Sequence, residues 1–259
     1  MHTYGLIGFP LSHSFSKKYF SDKFEREGIP DTAYDLYPLE SIEDLPELIR
    51  TTPDLLGLNV TIPYKETVIS YLDMLDDTAK AVGAVNTIRI DRTGENPYLT
   101  GYNTDVFGFR QSIKPFLASH HERALILGTG GASKAVAFVL KEIGLDCFFV
   151  TRSKQKERQG KVQPADNKLL EYGELNEYVM KHFPVIINTS PVGMYPGVNA
   201  SPEIPYSFLN ASHFLYDLIY NPEETLFLAE ARKRGALTLN GLSMLQQQAE
   251  KAWEIWNKL

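Results

Sequence analysis

The chain has 259 residues, 43% of them hydrophobic and 22% charged, with a formal net charge of −6. That length accommodates two modest domains, and the acidic balance argues against a general basic field for nucleic acid or anionic membrane. No apolar run approaches the roughly 20 residues that span a bilayer, and the first residues lack the charged and apolar regions of a signal peptide. The single cysteine, Cys147, permits no internal disulfide, so a cytoplasmic location is expected. Its neighbours Phe148, Phe149 and Val150 mark it as a core residue.

In chain order, Tyr4–Phe9 reads as a strand and Ser16–Glu27 as a helix closed by Gly28. Ala33–Tyr37 reads as a strand, Ile42–Arg50 as a helix, Gly57–Val60 as a short strand, and a helix is expected to start near Tyr64. Thr87–Asp91 and Tyr98–Gly101 flank a turn-forming stretch at 92–97. Asp105 follows Asn103 and Thr104 as the expected cap of the next helix. Gln111–Glu122 and Leu239–Gly241 read as connections between two domains. From Arg123 onward, strand Ala124–Leu127, a glycine turn, helix Ala132–Ile143 and strand Asp146–Val150 compose a βαβ unit. Val185–Asn188 and Phe214–Asp217 add two strands, and Ser243–Trp256 is a final helix. The alternation predicts an α/β protein with mostly parallel sheet.

The glycine turn Gly128-Thr129-Gly130-Gly131-Ala132-Ser133 matches a dinucleotide fingerprint, with serine in place of its third glycine. Such a turn brings bare backbone to a pyrophosphate and offers a helix N-terminus to its charge. NAD-binding folds carry an acid at the end of the next strand, for the ribose diol. Here that strand ends Thr151-Arg152-Ser153-Lys154-Gln155-Lys156, without a carboxylate. Arg152 and Lys156 could instead pair with a 2′-phosphate, which favours NADP(H). The six histidines form no metal-binding motif, and His13 reads as a loop brace. On these residues alone, the chain is an NADP-dependent oxidoreductase for a small polar molecule.

The remaining polar motifs are Gly8-Phe9-Pro10-Leu11-Ser12-His13-Ser14-Phe15-Ser16, Asn59 to Lys65, Gly83 to Thr87, and Asn103-Thr104-Asp105. Asn188-Thr189-Ser190 and Asn240 to Leu245 with Gln248 follow. Together with the glycine turn, in this order, they resemble the shikimate dehydrogenase family over nearly the whole chain. The resemblance implies a reversible, NADP-dependent reduction of 3-dehydroshikimate to shikimate in aromatic amino-acid biosynthesis. It also implies a substrate domain of residues 1–104 and 240–259, the C-terminal helix returning to it, and a Rossmann-like NADP domain of 105–239. Lys65 and Asp105 would form the catalytic pair. Ser14, Ser16 and Thr61 would take the substrate carboxylate, with Asn59, Asn86 and Gln248 on ring hydroxyls and Tyr220 close by. Thr189, Gly241 and Met244 would join Gly128 to Ser133 and Thr151 to Ser153 around the cofactor. The implied protein is a monomer or homodimer with no metal, nucleic-acid or membrane partner. Lys17 departs from the family pattern, standing where many members have proline. A sister enzyme that also oxidises quinate, often with NAD, shares most of these motifs, as do aminoshikimate and other specialised dehydrogenases. A non-catalytic NADP-binding regulator on the same scaffold is a third reading.

Overall fold

The computed structural model describes residues 1–11, 14–155 and 168–257. His13 and Lys156, together with most of the polar stretch that follows Arg152, lie outside the described residues. The chain divides into two compact units, Met1–Phe107 with Gln248–Leu259, and Gly108–Gln247.

In the first unit the strands are β1 (His2–Gly8), β2 (Thr32–Pro38), β3 (Leu55–Val60), β4 (Met74–Leu75), β5 (Thr87–Asp91) and β6 (Tyr98–Tyr102). They form a mixed sheet in the order β2-β1-β3-β5-β6-β4. β1, β2 and β3 are parallel, whereas β5 is antiparallel to both β3 and β6. Helix α1 (Phe15–Glu27) starts at Ser14, whose hydroxyl accepts the Lys17 N–H at 3.4 Å, and stops at Gly28 with φ +62°. A proline at position 17 would have no N–H to give this cap.

Both faces of this sheet are covered. On one face, Phe20, Phe24, Tyr4 and Tyr34 pack with Ala249, Ala252, Ile255 and Trp256 from helix α8 (Leu242–Trp256). The Trp256 indole donates to the Ile88 carbonyl at 2.9 Å, which supplies the partner a buried indole needs. On the other face Leu45, Ile49, Val60, Val68, Ala79 and Ile88 pack together. They include residues of α2 (Leu45–Thr51) and α3 (Asp77–Val82), the latter capped by Asp76 and closed by Gly83.

The second unit is a fully parallel sheet. Its strands are β7 (Arg123–Leu127), β8 (Asp146–Thr151), β9 (Leu169–Glu171), β10 (Val185–Asn188), β11 (Phe214–Asp217) and β12 (Leu237–Leu239). Their order is β12-β11-β10-β7-β8-β9. Counted within the unit this is the 3-2-1-4-5-6 order of dinucleotide-binding Rossmann domains, whose chain reverses direction of winding between the first and fourth strands. All four residues of β10 and of β11 are buried, as strands covered on both faces must be. Helices α5 (Gly131–Glu142), α6 (Glu177–His182) and α7 (Leu226–Arg232) complete the unit. The expected α/β class and two-domain architecture are borne out.

Several local expectations are corrected. The segment after Tyr64 forms only a 3₁₀ turn, Thr67–Tyr71, because the β-branched run Thr67, Val68 and Ile69 disfavours a continuing α-helix. The expected helix Ile42–Arg50 divides into a 3₁₀ turn at Ile42–Asp44 and α2. Helix α4 spans Thr104–Ile113, so the first of the expected connections opens with its last turn. The cap of α4 is Asn103, whose side-chain oxygen accepts the Val106 N–H at 3.2 Å, and Asp105 lies inside the first turn. Cys147 is only partly buried, and that burial pushes its thiol pKa up.

Two consequences for stability follow from this packing. A Cβ added at Gly57 would lie closer to the Trp256 indole than real side chains approach. Gly57→Ala is therefore expected to cost about 1–3 kcal/mol by overpacking. Gly57→Ala combined with Trp256→Leu should cost less than the sum of the single changes, read from urea midpoints. The second consequence concerns Asp217, which is fully buried at the end of β11. Burial pushes its carboxyl from an ordinary 3.8 up to about 6, against the lowering effect of hydrogen bonds from Thr225, Ile219 and Asn188. Between those values the folded protein holds a proton that the unfolded chain has released. This group's contribution to stability therefore falls as pH rises through that window. Asp217→Asn, which cannot ionise, should gain stability relative to the parent from about pH 4 to pH 7, by at most about 3 kcal/mol. A difference that stays flat in paired urea titrations would contradict this.

Candidate active site

Lys65 and Asp105 stand at the ends of two elements of the first unit. Lys65 follows β3, and its backbone carbonyl accepts the Val85 N–H at 2.7 Å. Asp105 lies in the first turn of α4, where the helix dipole favours its charge. The Lys65 ammonium stands 2.6 Å from Asp105 Oδ2, with side-chain exposures of 19% and 11%. An ammonium so held is oriented and still reachable, as required of a group that gives a proton to a developing alkoxide.

Behind this pair runs a buried network of amides and hydroxyls. The Asn86 side-chain oxygen accepts the Thr104 N–H at 2.7 Å, and its amide nitrogen donates to Thr104 Oγ1 at 3.0 Å and to Gln248 Oε1 at 3.5 Å. Asn59 donates to the Asn86 carbonyl at 3.3 Å and to Thr87 Oγ1 at 3.2 Å. Its oxygen accepts the Tyr34 hydroxyl at 2.7 Å. Both Asn59 amide hydrogens are thus used within the protein, and a single acceptor position remains. Ser14, Ser16 and Thr61 are partly exposed at the start of α1 and just after β3. The structure therefore groups Lys65 with Asp105, Asn59 with Asn86 and Gln248, and Ser14 with Ser16 at one helix start.

Three further residues belong to this network. Thr87 and Thr104 sat in plain view inside the quoted motifs, though nothing in their spacing marked them as bridges. Tyr34 carried no signal at all, being one of 14 tyrosines on a strand of ordinary composition.

In the second unit, Gly128 directly follows β7, and its φ of +110° suits glycine. A Cβ there would come within 3.0 Å of Thr189 Oγ1, which itself donates to the Leu127 carbonyl at 2.8 Å. The turns after β7 and β10 are thereby locked together at the reversal point of the sheet, where such folds bind their ligands. Gly130 opens α5 with no side-chain cap and with nothing near the place of a Cβ. Gly131 and Ala132 form the first turn, and Ser133 is buried with its hydroxyl donating back to the Gly130 carbonyl at 2.5 Å. Serine thus fits where the fingerprint has glycine. A bare, uncapped helix start suits a pyrophosphate.

At the end of β8, Thr151 is buried and its hydroxyl accepts the Ser153 N–H at 3.4 Å. Arg152 is exposed, and its charge acts on the Tyr172 phenol, whose pKa burial raises and Arg152 draws back. Lys154 is instead ion-paired with Glu174 at 2.6 Å. No motif pointed to Glu171, which pairs in register with Thr151 across β8 and β9. Its carboxylate accepts the Lys154 N–H at 2.8 Å. Gly241 is required by close approach, since a Cβ would collide with the Leu218 backbone, and its N–H donates to the Ile219 carbonyl at 3.0 Å. Tyr220 is partly exposed and Met244 is buried. Among the described residues no group of histidine, cysteine and carboxylate side chains is arranged for a metal, and no helix is long and apolar enough to cross a membrane.

Residues 6–88 match the family model for the shikimate dehydrogenase substrate binding domain. The chain is 38% identical to the shikimate dehydrogenase (NADP(+)) of Methanococcus vannielii, over 97% of this chain and 90% of that protein. The crystal structure of shikimate dehydrogenase from Aquifex aeolicus superposes with a TM-score of 0.84 at 34% identity, covering 99% of this chain and 92% of that one. The shikimate 5-dehydrogenase of Thermus thermophilus, in complex with NADP(H) and shikimate, gives a TM-score of 0.83 at 30% identity, covering 100% of this chain and 94% of that one. Motifs, fold and these likenesses together make the chain a member of the shikimate dehydrogenase family.

Proposed function

We propose that this protein catalyses the reversible NADP-dependent reduction of 3-dehydroshikimate to shikimate. The observation that carries the reading is the Lys65–Asp105 pair at 2.6 Å, oriented yet reachable, in a member of this family. The substrate is assigned to the unit Met1–Phe107 with Gln248–Leu259, and the cofactor to Gly108–Gln247.

Bound NADPH supplies the hydride. The chain's own groups manage the oxygen. As negative charge builds on the former ketone oxygen, the Lys65 ammonium stabilises it and gives up a proton, forming the product hydroxyl. Asp105 holds the ammonium in place throughout. In the oxidative direction the neutral amine takes the hydroxyl proton back. Ser14, Ser16 and Thr61 receive the substrate carboxylate as hydrogen-bond donors, and Asn86 and Gln248 face the ring hydroxyls. Asn59 contributes its one remaining acceptor position and otherwise braces Asn86. Gly128 to Ser133 and Thr189 cradle the pyrophosphate, Thr151, Arg152 and Ser153 meet the 2′-phosphate, and Tyr220, Gly241 and Met244 complete the cofactor and substrate contacts. Arg152 favours NADP over NAD, because Glu171, the nearby carboxylate, is turned to the Lys154 backbone.

Initial rates with shikimate and with quinate, each against NADP⁺ and NAD⁺, test the reading. Turnover should be fastest with shikimate and NADP⁺. Equal rates with quinate or NAD⁺ would move the protein to the broader sister enzymes, and no turnover in any combination would make it a binding protein. Lys65→Ala should lower kcat roughly a hundred-fold or more while the thermal unfolding curve stays in place. Arg152→Ala should raise KM for NADP⁺ roughly tenfold or more, leaving NAD⁺ kinetics nearly unchanged. An equal effect on both cofactors would remove Arg152 from the 2′-phosphate.

A further inference from the structure

Strand β9 stands at the edge of the parallel sheet, beside β8. Its last residue, Glu171, pairs in register with Thr151, the last residue of β8. The Glu171 carboxylate then reaches past Arg152 and Ser153 to accept the Lys154 N–H at 2.8 Å. Within that span the Ser153 N–H is given to Thr151 Oγ1 at 3.4 Å. The chain is thus fixed just before Arg152 by the sheet, and two residues after it by a side chain from the same sheet. Arg152 is the exposed residue between the two anchors. A second carboxylate closes the arrangement. Glu174 accepts the Glu171 N–H at 2.6 Å and pairs with the Lys154 ammonium, also at 2.6 Å. Lys154 is therefore held by its backbone through Glu171 and by its side chain through Glu174.

We propose that Glu171 is a positioning residue for cofactor choice: by accepting the Lys154 N–H it holds the segment 151–154 in the shape that presents Arg152 to a ribose 2′-phosphate. The proposal rests on the reading of Arg152 as the 2′-phosphate ligand. A guanidinium binds phosphate through paired, directional hydrogen bonds, and a displaced backbone costs it one of the pair. What Glu171 contributes is reach and not charge. Its charge opposes a phosphate, whereas its length brings an acceptor to the Lys154 N–H. NAD⁺ carries no 2′-phosphate, so its binding does not depend on where Arg152 points. Glu171 touches neither the reacting atoms nor Lys65, and its effect belongs to cofactor binding alone.

The test pairs two substitutions in the full chain. Glu171→Asp keeps the charge and withdraws the oxygens by one carbon–carbon bond from the Lys154 N–H. Glu171→Gln removes the charge and keeps an oxygen at the original reach. Calorimetric titration with NADP⁺ and with NAD⁺ reads binding without turnover. Glu171→Asp should raise the Kd for NADP⁺ about fivefold, the worth of one hydrogen bond, with that for NAD⁺ within about twofold of the parent. Glu171→Gln should bind NADP⁺ no more weakly than the parent does. In an Arg152→Ala background Glu171→Asp should leave NADP⁺ binding unaltered, because the residue through which Glu171 acts is gone. Unchanged NADP⁺ binding in Glu171→Asp would overturn the proposal, and so would an equal weakening of both cofactors, which would leave Glu171 a residue of stability only. A Glu171→Gln protein that loses NADP⁺ as Glu171→Asp does would overturn it too, since charge would then be at work. If Arg152→Ala alone binds NADP⁺ as tightly as the parent, the reading of Arg152 fails and takes the proposal with it.

Discussion

The Asn86 side chain, with its own peptide group, is the constraint on which the site depends. Its N–H donates to the Tyr102 carbonyl at 3.0 Å, and its carbonyl accepts from Val60 at 2.8 Å. Its side chain grips the backbone and hydroxyl of Thr104. One buried residue thereby ties the end of β3 to the start of β5 and the start of α4. Lys65 hangs from the first of these and Asp105 from the last. Among the described residues no buried side-chain polar atom lacks a partner. In a low-dielectric interior that completeness is what turns a cluster of amides into a rigid frame, and a rigid frame is what lets an ammonium meet a carboxylate in one geometry only.

The second unit solves its positioning problem with backbone. Gly128, bent to positive φ, and Thr189, bonded to Leu127, bring together turns that follow non-consecutive strands. Behind them Asn188 donates to Asp217 at 3.0 Å, and Asp217 accepts in turn from Thr225 at 2.6 Å. The carboxylate sits under the turns and joins the ends of β10 and β11. A bare helix start serves an anion only if nothing else fills the space and if the surrounding turns do not shift. Gly130 meets the first condition, and the bonds around Asn188 and Thr189 meet the second.

Much of this was legible in the sequence, and the exceptions share a cause. Val185–Asn188 and Phe214–Asp217 were found to the residue, because short apolar runs bounded by polar ones leave little choice in a parallel sheet. The hairpin around 92–97 and the helix closed by Gly28 were readable for similarly local reasons. The three-residue strands Leu169–Glu171 and Leu237–Leu239 are too short to show any period, and they form because neighbouring strands offer an open edge. Cys147 reads as core from its neighbours, yet its strand is only half covered at that end. At the site, the polar residues announced themselves as motifs, but the meeting of Lys65 with Asp105 was implied by the family resemblance and not by their spacing. Lys65 and Asp105 are 40 residues apart, and spacing cannot encode a contact made by tertiary packing. Tyr34 was invisible for the same reason, since its part is defined wholly by what folds against it.

The docking of Trp256 against Gly57 and Ile88 bears on the order in which the molecule can be completed during synthesis. Its hydrogen bond joins residues 168 positions apart, and the apolar face formed by Phe20, Phe24 and Tyr34 is covered by residues from 249 onward. The second unit, by contrast, is one uninterrupted stretch. A ribosome delivers residues from the N-terminus, so the early sheet must wait with one face wet while the later parallel sheet is made and closed. The unit begun first is finished last, and any aromatic surface it shows in the interval is a target for chaperones and for misassociation.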